Sequence, residues 1–201
     1  MKIKLLTQMF GLLIWLQHIL PGQSTASRPL TVSLFTVATQ LPGGKVLPIH
    51  PGLELGTEFR LGRNEKSRWF QSAKLGVFHH RLSQTAVMLY SESGFRPGIS
   101  SRLYAELRLG AGYLHAIPDL QVFSQNDGVY KKSSGLGRPQ LMASFATGLG
   151  WRLREGSDSP KVFVAMQCFF QMPFIKSYVP VLPNTALHVG TSFPMFKKST
   201  S

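Results

Sequence analysis

Histidines, carboxylates and a single cysteine are the residues of this chain best suited to chemistry, and their spacing narrows what that chemistry is. His50, His80 and His188 share one parity and fall near strand ends that face longer connections, a candidate set for a divalent metal. His79 and His115 are the candidate bases for activating a serine. Neither lies in a hydrolytic frame: His79 is followed by His80-Arg81, His115 by Ala116-Ile117, and no GxSxG or HExxH occurs. Cys168, among Val164, Met166 and Phe170, reads as a small inert hydrophobe. The largest group is charged. Glu54, Glu58, Arg60, Lys74, Tyr90, Glu92, Tyr104, Glu106, Arg108 and Arg152 all occupy the polar parity of alternating segments. A buried carboxylate without a partner is very costly, so these residues are expected to pair as a network inside the fold. No residue set points to a cofactor.

The elements that position them are strands. In Leu53–Leu61, Leu53, Leu55, Thr57, Phe59 and Leu61 alternate with Glu54, Gly56, Glu58 and Arg60. A period of two is a strand with unlike faces. The pattern recurs at 103–113, 141–152 and 187–193, and more weakly at 69–80, 84–95 and 160–171. About eight strands are predicted, at 30–38, 52–62, 69–80, 84–95, 101–114, 139–153, 160–171 and 185–196. Several reach the 9–11 residues that a tilted strand needs to cross a bilayer. The connections Gly62–Arg68, Arg96–Ser100 and Arg154–Ser159 are short and polar. They alternate with 39–51, 81–83, 115–138 and 172–184, three of them long. In an up-and-down meander the long loops then share one rim and the short turns the other. Pairing through these turns predicts Lys74 near Tyr90, Glu92 near Tyr104, and Tyr90 near Glu106.

Alternation does not say which face points inward. A soluble barrel holding an apolar ligand would turn its leucines inside. Three features favour a membrane-spanning barrel. The charged parity carries Gly56, Gly76, Gly94, Gly110, Gly112, Gly148, Gly150 and Gly190, small residues suited to a crowded lumen. Aromatics cluster at the ends of the apolar faces: Trp69, Phe95, Trp151 and Phe193 at one end and Tyr113 at the other, as in interfacial girdles. Few charges fall on the apolar parity.

Composition agrees. The chain has 201 residues, a formal charge of +13, 43% hydrophobic and only 15% charged residues. It is one domain or two very small ones, too apolar for disorder. One cysteine excludes a disulfide scaffold and a Cys-rich metal module. Residues 1–27 read as a cleaved secretory signal: Lys2 and Lys4, the apolar run Leu5–Leu20, then Pro21-Gly22 and Ser24-Thr25-Ala26. The run is shorter than the ~20 residues of a spanning helix. Residues 28–201 are left as the barrel domain.

The leader, the eight strands and the last strand HVGTSFPMF resemble the small bacterial outer-membrane β-barrel proteins. His188, Gly190, Phe193 and Met195 fill the places of that family's terminal assembly signal. The resemblance covers essentially the whole mature chain as architecture. It implies an all-β, up-and-down antiparallel transmembrane barrel of about eight strands in the outer membrane of a Gram-negative-type bacterium. The barrel-assembly machinery would insert it, and its surroundings would be outer-membrane lipid and lipopolysaccharide. A monomer is implied, with a structural or surface-interaction role. The loop 115–138, with Asn126-Asp127-Gly128 as a turn and Lys131-Lys132 beside serines, is the candidate contact surface. The enzyme alternative is a lipid A deacylase-like barrel. That family places His and Ser two apart on one strand, followed by Asn, and neither His79 nor His115 matches. Nucleic-acid binding is not expected, since no clustered basic helix offers a reading element.

Overall fold

The computed structural model describes residues 28–43, 49–61, 68–81, 83–119, 123–126, 129–132, 137–155, 159–174 and 180–195. The expected leader, 1–27, lies outside them. Ten strands form: β1 (Pro29–Ala38), β2 (Pro51–Arg60), β3 (Trp69–His80), β4 (Gln84–Phe95), β5 (Leu103–Pro118), β6 (Phe123–Asn126), β7 (Val129–Lys132), β8 (Arg138–Arg152), β9 (Lys161–Met172) and β10 (Leu182–Pro194). No helix occurs among the described residues.

Eight of the strands close into an antiparallel barrel, in the order β1-β2-β3-β4-β5-β8-β9-β10, with β10 returning to β1. Full closure leaves no unpaired sheet edge. The barrel strands run from 10 to 16 residues, enough to span a bilayer at a tilt. The short β6–β7 hairpin forms a separate two-stranded sheet. In the chain it lies between β5 and β8, the two longest strands. The connections 39–50, 81–83, 119–137 and 173–181 share that end, while 61–68, 96–102 and 153–160 share the other.

The two faces are sharply different. Outward side chains such as Leu34 and Leu109 are 66% and 65% exposed, whereas inward Glu54 and Glu92 are 1% and 0% exposed. This overturns the soluble barrel with an apolar ligand in its lumen. The leucine parity faces out and the charged parity is enclosed.

Two glycines show how the lumen is filled. Gly150 lies across from Tyr104 and Gly94 from Phe70. In both places a Cβ would collide with the aromatic ring, so the missing side chain is the space that the ring occupies.

One expected register shifts. β4 and β5 pair Glu92 with Gly110, and Tyr90 with Gly112, not with Tyr104 and Glu106. The turn tip lies further along the chain than the Arg96–Ser100 turn implied. Gly98 bridges Tyr104, and the Ile99 and Ser100 amides both donate to Leu103 O. Pairing Lys74 with Tyr90 matches the register of β3 and β4.

Candidate functional site: the filled lumen

The inward side chains form layers along the barrel axis. Nearest the long loops is an amide layer, in which Gln84 Nε2 donates to Gln171 Oε1 at 3.0 Å. Below it lies an apolar plug containing Phe35, Val37, Phe78, Leu114, Met142 and Phe169. Phe78 contacts Phe35 and Phe169 edge-on, at centroid separations of 6.3 and 6.1 Å. The ionic layer occupies the half of the lumen nearer the short turns.

Alternation along five strands builds that ionic layer, because each supplies inward residues two apart. Lys74 Nζ lies 3.1 Å from Glu54 Oε1 and 3.0 Å from Glu92 Oε2. Arg108 Nε faces Glu92 Oε2 at 3.6 Å and Arg108 Nη1 faces Glu106 Oε2 at 3.7 Å, so these pair by charge rather than by aligned hydrogen bonds. Arg96 donates to Glu106 at 2.5 Å and to Glu58 at 2.7 Å. Lys161 Nζ reaches Glu58 Oε2 at 4.0 Å. The carboxylates Glu54, Glu58, Glu92 and Glu106 are therefore matched by Lys74, Arg96, Arg108 and Lys161. Tyr90 donates its hydroxyl to Glu54, and Gln167 donates to Glu92 Oε1 at 3.0 Å. The Tyr104 ring lies between the Arg96 and Arg152 guanidinium groups, 5.2 and 5.3 Å from its centroid. Arg60 and Arg152 lie at the short-turn mouth, Arg60 exposed and Arg152 half-buried. A cavity of about 10 Å³ remains, room for about one water; Thr31, Thr57 and Ser192 line it.

Lys161, Gln167, Ser33 and Ser144 belong to this interior but escaped the sequence reading. The available signal was inward parity on β9, weakened by a run that is apolar on both faces, from Val162 to Phe170.

His188 belongs here as well, and this corrects the candidate metal set. It lies in the lumen, stacked on Phe35 at 4.7 Å, with Nε2 at 3.3 Å from Gln167 Oε1. Because β10 starts at Leu182, three residues earlier than expected, His188 sits mid-strand and away from the rim. Among the described residues no group of three or more His, Cys, Asp or Glu is placed to hold a metal. Ser33 Oγ lies 3.4 Å from His188 Nδ1 and 3.3 Å from Glu54 Oε1. These are hydrolytic residue types, but each is about 1% exposed, enclosed within the lumen. His79 and His115, the other candidate bases, contact Thr85 Oγ1 at 3.0 Å and the Tyr113 hydroxyl at 2.7 Å.

His50 and His80 do meet at the long-loop rim, stacked at 3.7 Å. The Arg81 amide donates to His50 Nδ1 at 3.3 Å, which fixes that nitrogen as the acceptor. Burial, and after it the neighbouring His80 and His79, holds the His50 imidazole below its ordinary pKa. A lowered folded-state pKa means that the opened rim takes up the proton first. The closed rim is therefore at full strength above the ordinary imidazole value of about 6.5 and weakens as pH falls below it. Arg81 amide exchange, corrected for its intrinsic rate, is expected to quicken below that pH, because protonated Nδ1 cannot accept. The His50→Asn variant, which keeps an acceptor there, is expected to lose this pH dependence; the same acid response in the variant would contradict the assignment.

The aromatic residues singled out in the sequence lie toward the two ends of the outer face. Trp69, Phe95, Trp151 and Phe193 lie near the short-turn end, with Trp69 and Phe95 directly paired at 5.0 Å. Tyr113 lies toward the long-loop end, opposite Leu89 and Leu141.

No family model and no curated protein matches the sequence. Solved structures do match its fold. Neisserial surface protein A superposes with a TM-score of 0.58 at 8% identity, covering 87% of this chain and 99% of that one. Ail, the attachment invasion locus protein of Yersinia pestis, gives 0.47 at 11% identity, covering 84% and 97%. The N-terminal β-barrel domain of Pseudomonas aeruginosa OprF gives 0.44 at 10% identity, covering 84% and 99%. By its fold this chain is a small, closed, eight-stranded antiparallel β-barrel of the kind seen in Neisserial surface protein A.

Proposed function

We propose that this protein spans the outer membrane of a Gram-negative-type bacterium as a non-enzymatic barrel with a structural or surface-interaction role. The observation that carries this reading is the inversion of its faces: leucine, valine and aromatic side chains cover the outside, and the matched charges lie within. Such an exterior suits hydrocarbon, and the aromatic bands suit its two interfaces.

In this reading the ionic layer braces the barrel from inside. The apolar plug above it supports a closed lumen rather than a conducting one. The long-loop end faces the cell exterior, amid lipopolysaccharide, and presents the β6–β7 hairpin as the contact surface. The leader directs secretion and is removed, the barrel-assembly machinery inserts the strands, and the mature protein is a monomer.

The test is to fractionate expressing cells and run the membrane fraction on gels with and without boiling. An outer-membrane band whose mobility shifts on boiling is the expected result. A soluble product without a shift would defeat the proposal.

A further inference from the structure

The short-turn mouth of the barrel is ringed by base. Arg60 ends β2, Arg68 precedes β3, Arg96 follows β4, Arg102 precedes β5, Arg152 ends β8 and Lys161 opens β9. These are six neighbouring strands in barrel order, and each contributes one cation on the inward parity. Three of its five junctions are made directly at the backbone. The Arg96 amide donates to Arg68 O at 2.8 Å, the Arg152 amide to Arg102 O at 2.9 Å, and Arg152 pairs directly with Lys161.

Like charges opposite one another on neighbouring strands weaken a sheet, so this arrangement costs stability by itself. Neutralisation from within is partial. Glu58 and Glu106 are the inward carboxylates nearest this end, and both are held by Arg96, with further contacts to Lys161 and Arg108. Beyond that pairing lie Arg68, Arg102 and Arg154, all exposed. The connection 96–102 has no acidic residue, 61–68 has Glu65 against Arg63, Lys66 and Arg68, and 153–160 has Glu155 and Asp158 beside Arg154, so the excess of base is greatest around Arg68 and Arg102.

We propose that this mouth binds phosphate-bearing anions. Guanidinium forks match phosphate oxygens two at a time, and several forks around one axis favour a ligand with several charges over a single carboxylate. The inward parity of the ring places the ligand at the lumen opening. A phosphate there would meet the exposed guanidinium groups of Arg68 and Arg102, which lie beyond the reach of the inward carboxylates.

The experiment uses the full mature chain folded in uncharged detergent, with inorganic tripolyphosphate as probe and calorimetry at low salt. The combined variant Arg68→Gln, Arg102→Gln and Arg154→Gln is expected to lose about tenfold in affinity, since solvent-exposed charge contacts are each weak. Arg81→Gln with Arg138→Gln, at the opposite end, is expected to bind as the parent does. A boiled and unboiled gel confirms that each variant is folded. A second arm compares thermal unfolding in phosphatidylglycerol and phosphatidylcholine vesicles. Tripolyphosphate binding that depends on the three arginines assigns a soluble phosphate ligand. Stabilisation by phosphatidylglycerol alone, lost in the triple variant, assigns a lipid headgroup. The proposal is overturned if neither response appears, or if the triple variant and the opposite-end variant lose binding equally.

Discussion

Replacing Lys74 with methionine is expected to destabilise the barrel by about 3–5 kcal/mol, the usual cost of removing one partner from a buried ion pair. Lys74 is the cation shared by Glu54 and Glu92, within about 3 Å of each. Methionine fills similar volume, so the loss reports charge rather than a cavity. Glu54 retains hydrogen bonds from Tyr90 and Ser33, and Glu92 retains Gln167 and the more distant Arg108, but the two carboxylates then face each other without the ammonium between them. Adding Glu54→Gln and Glu92→Gln to the same chain is expected to restore most of the stability, because no unpaired charge remains. Urea unfolding in lipid vesicles, followed by tryptophan fluorescence and gel mobility, measures both. A loss under about 1 kcal/mol for Lys74→Met, far below the usual cost of unpairing a buried charge, would mean that Arg108 and the neutral donors, not the lysine, balance the two carboxylates.

The second large effect lies on the opposite face. Leu109 sits in the middle of β5, pointing outward between Ser93 and Phe145 on the neighbouring strands. An arginine there is expected to cost about 2–4 kcal/mol in a bilayer, the range for a cation near the midplane of a barrel's lipid face. On a barrel surrounded by water, the same exposed substitution would change stability by about 0.5 kcal/mol or less. The variant therefore reads out the solvent of the outer face directly. A Leu109→Arg protein as stable as the parent in vesicles would remove the membrane from the account.

The strands were legible even where the alternation is weaker: β3 and β4 run from Trp69 to His80 and from Gln84 to Phe95, as the alternation implied. What misled was local. β5 continues to Pro118, past the polar Tyr113 and His115, because Leu114 and Ala116 still fill the interior. Asn126-Asp127-Gly128 was readable as a turn, and β6 and β7 flank it, but four-residue strands carry too little pattern to declare themselves. Parity separated inside from outside without separating the two halves of the inside. Met142 and Phe169 share the inward face with the ions but lie in a separate layer, and that depth depends on how neighbouring strands are staggered. The position of His188 required the same information.

The ionic layer has a consequence for how the barrel comes into being. Its contacts tie together strands that are far apart in the chain: Glu58 on β2 with Lys161 on β9, and Glu92 on β4 with Gln167 on β9. A sheet inserted one hairpin at a time would carry Glu58 into hydrocarbon before Arg96 and Lys161 arrived, and a stranded charge in lipid costs several kcal/mol. Half a barrel is thus poorer than none. The cheap route is one in which curling, seam closure between β1 and β10, and the meeting of opposite charges occur together, making assembly a single cooperative event.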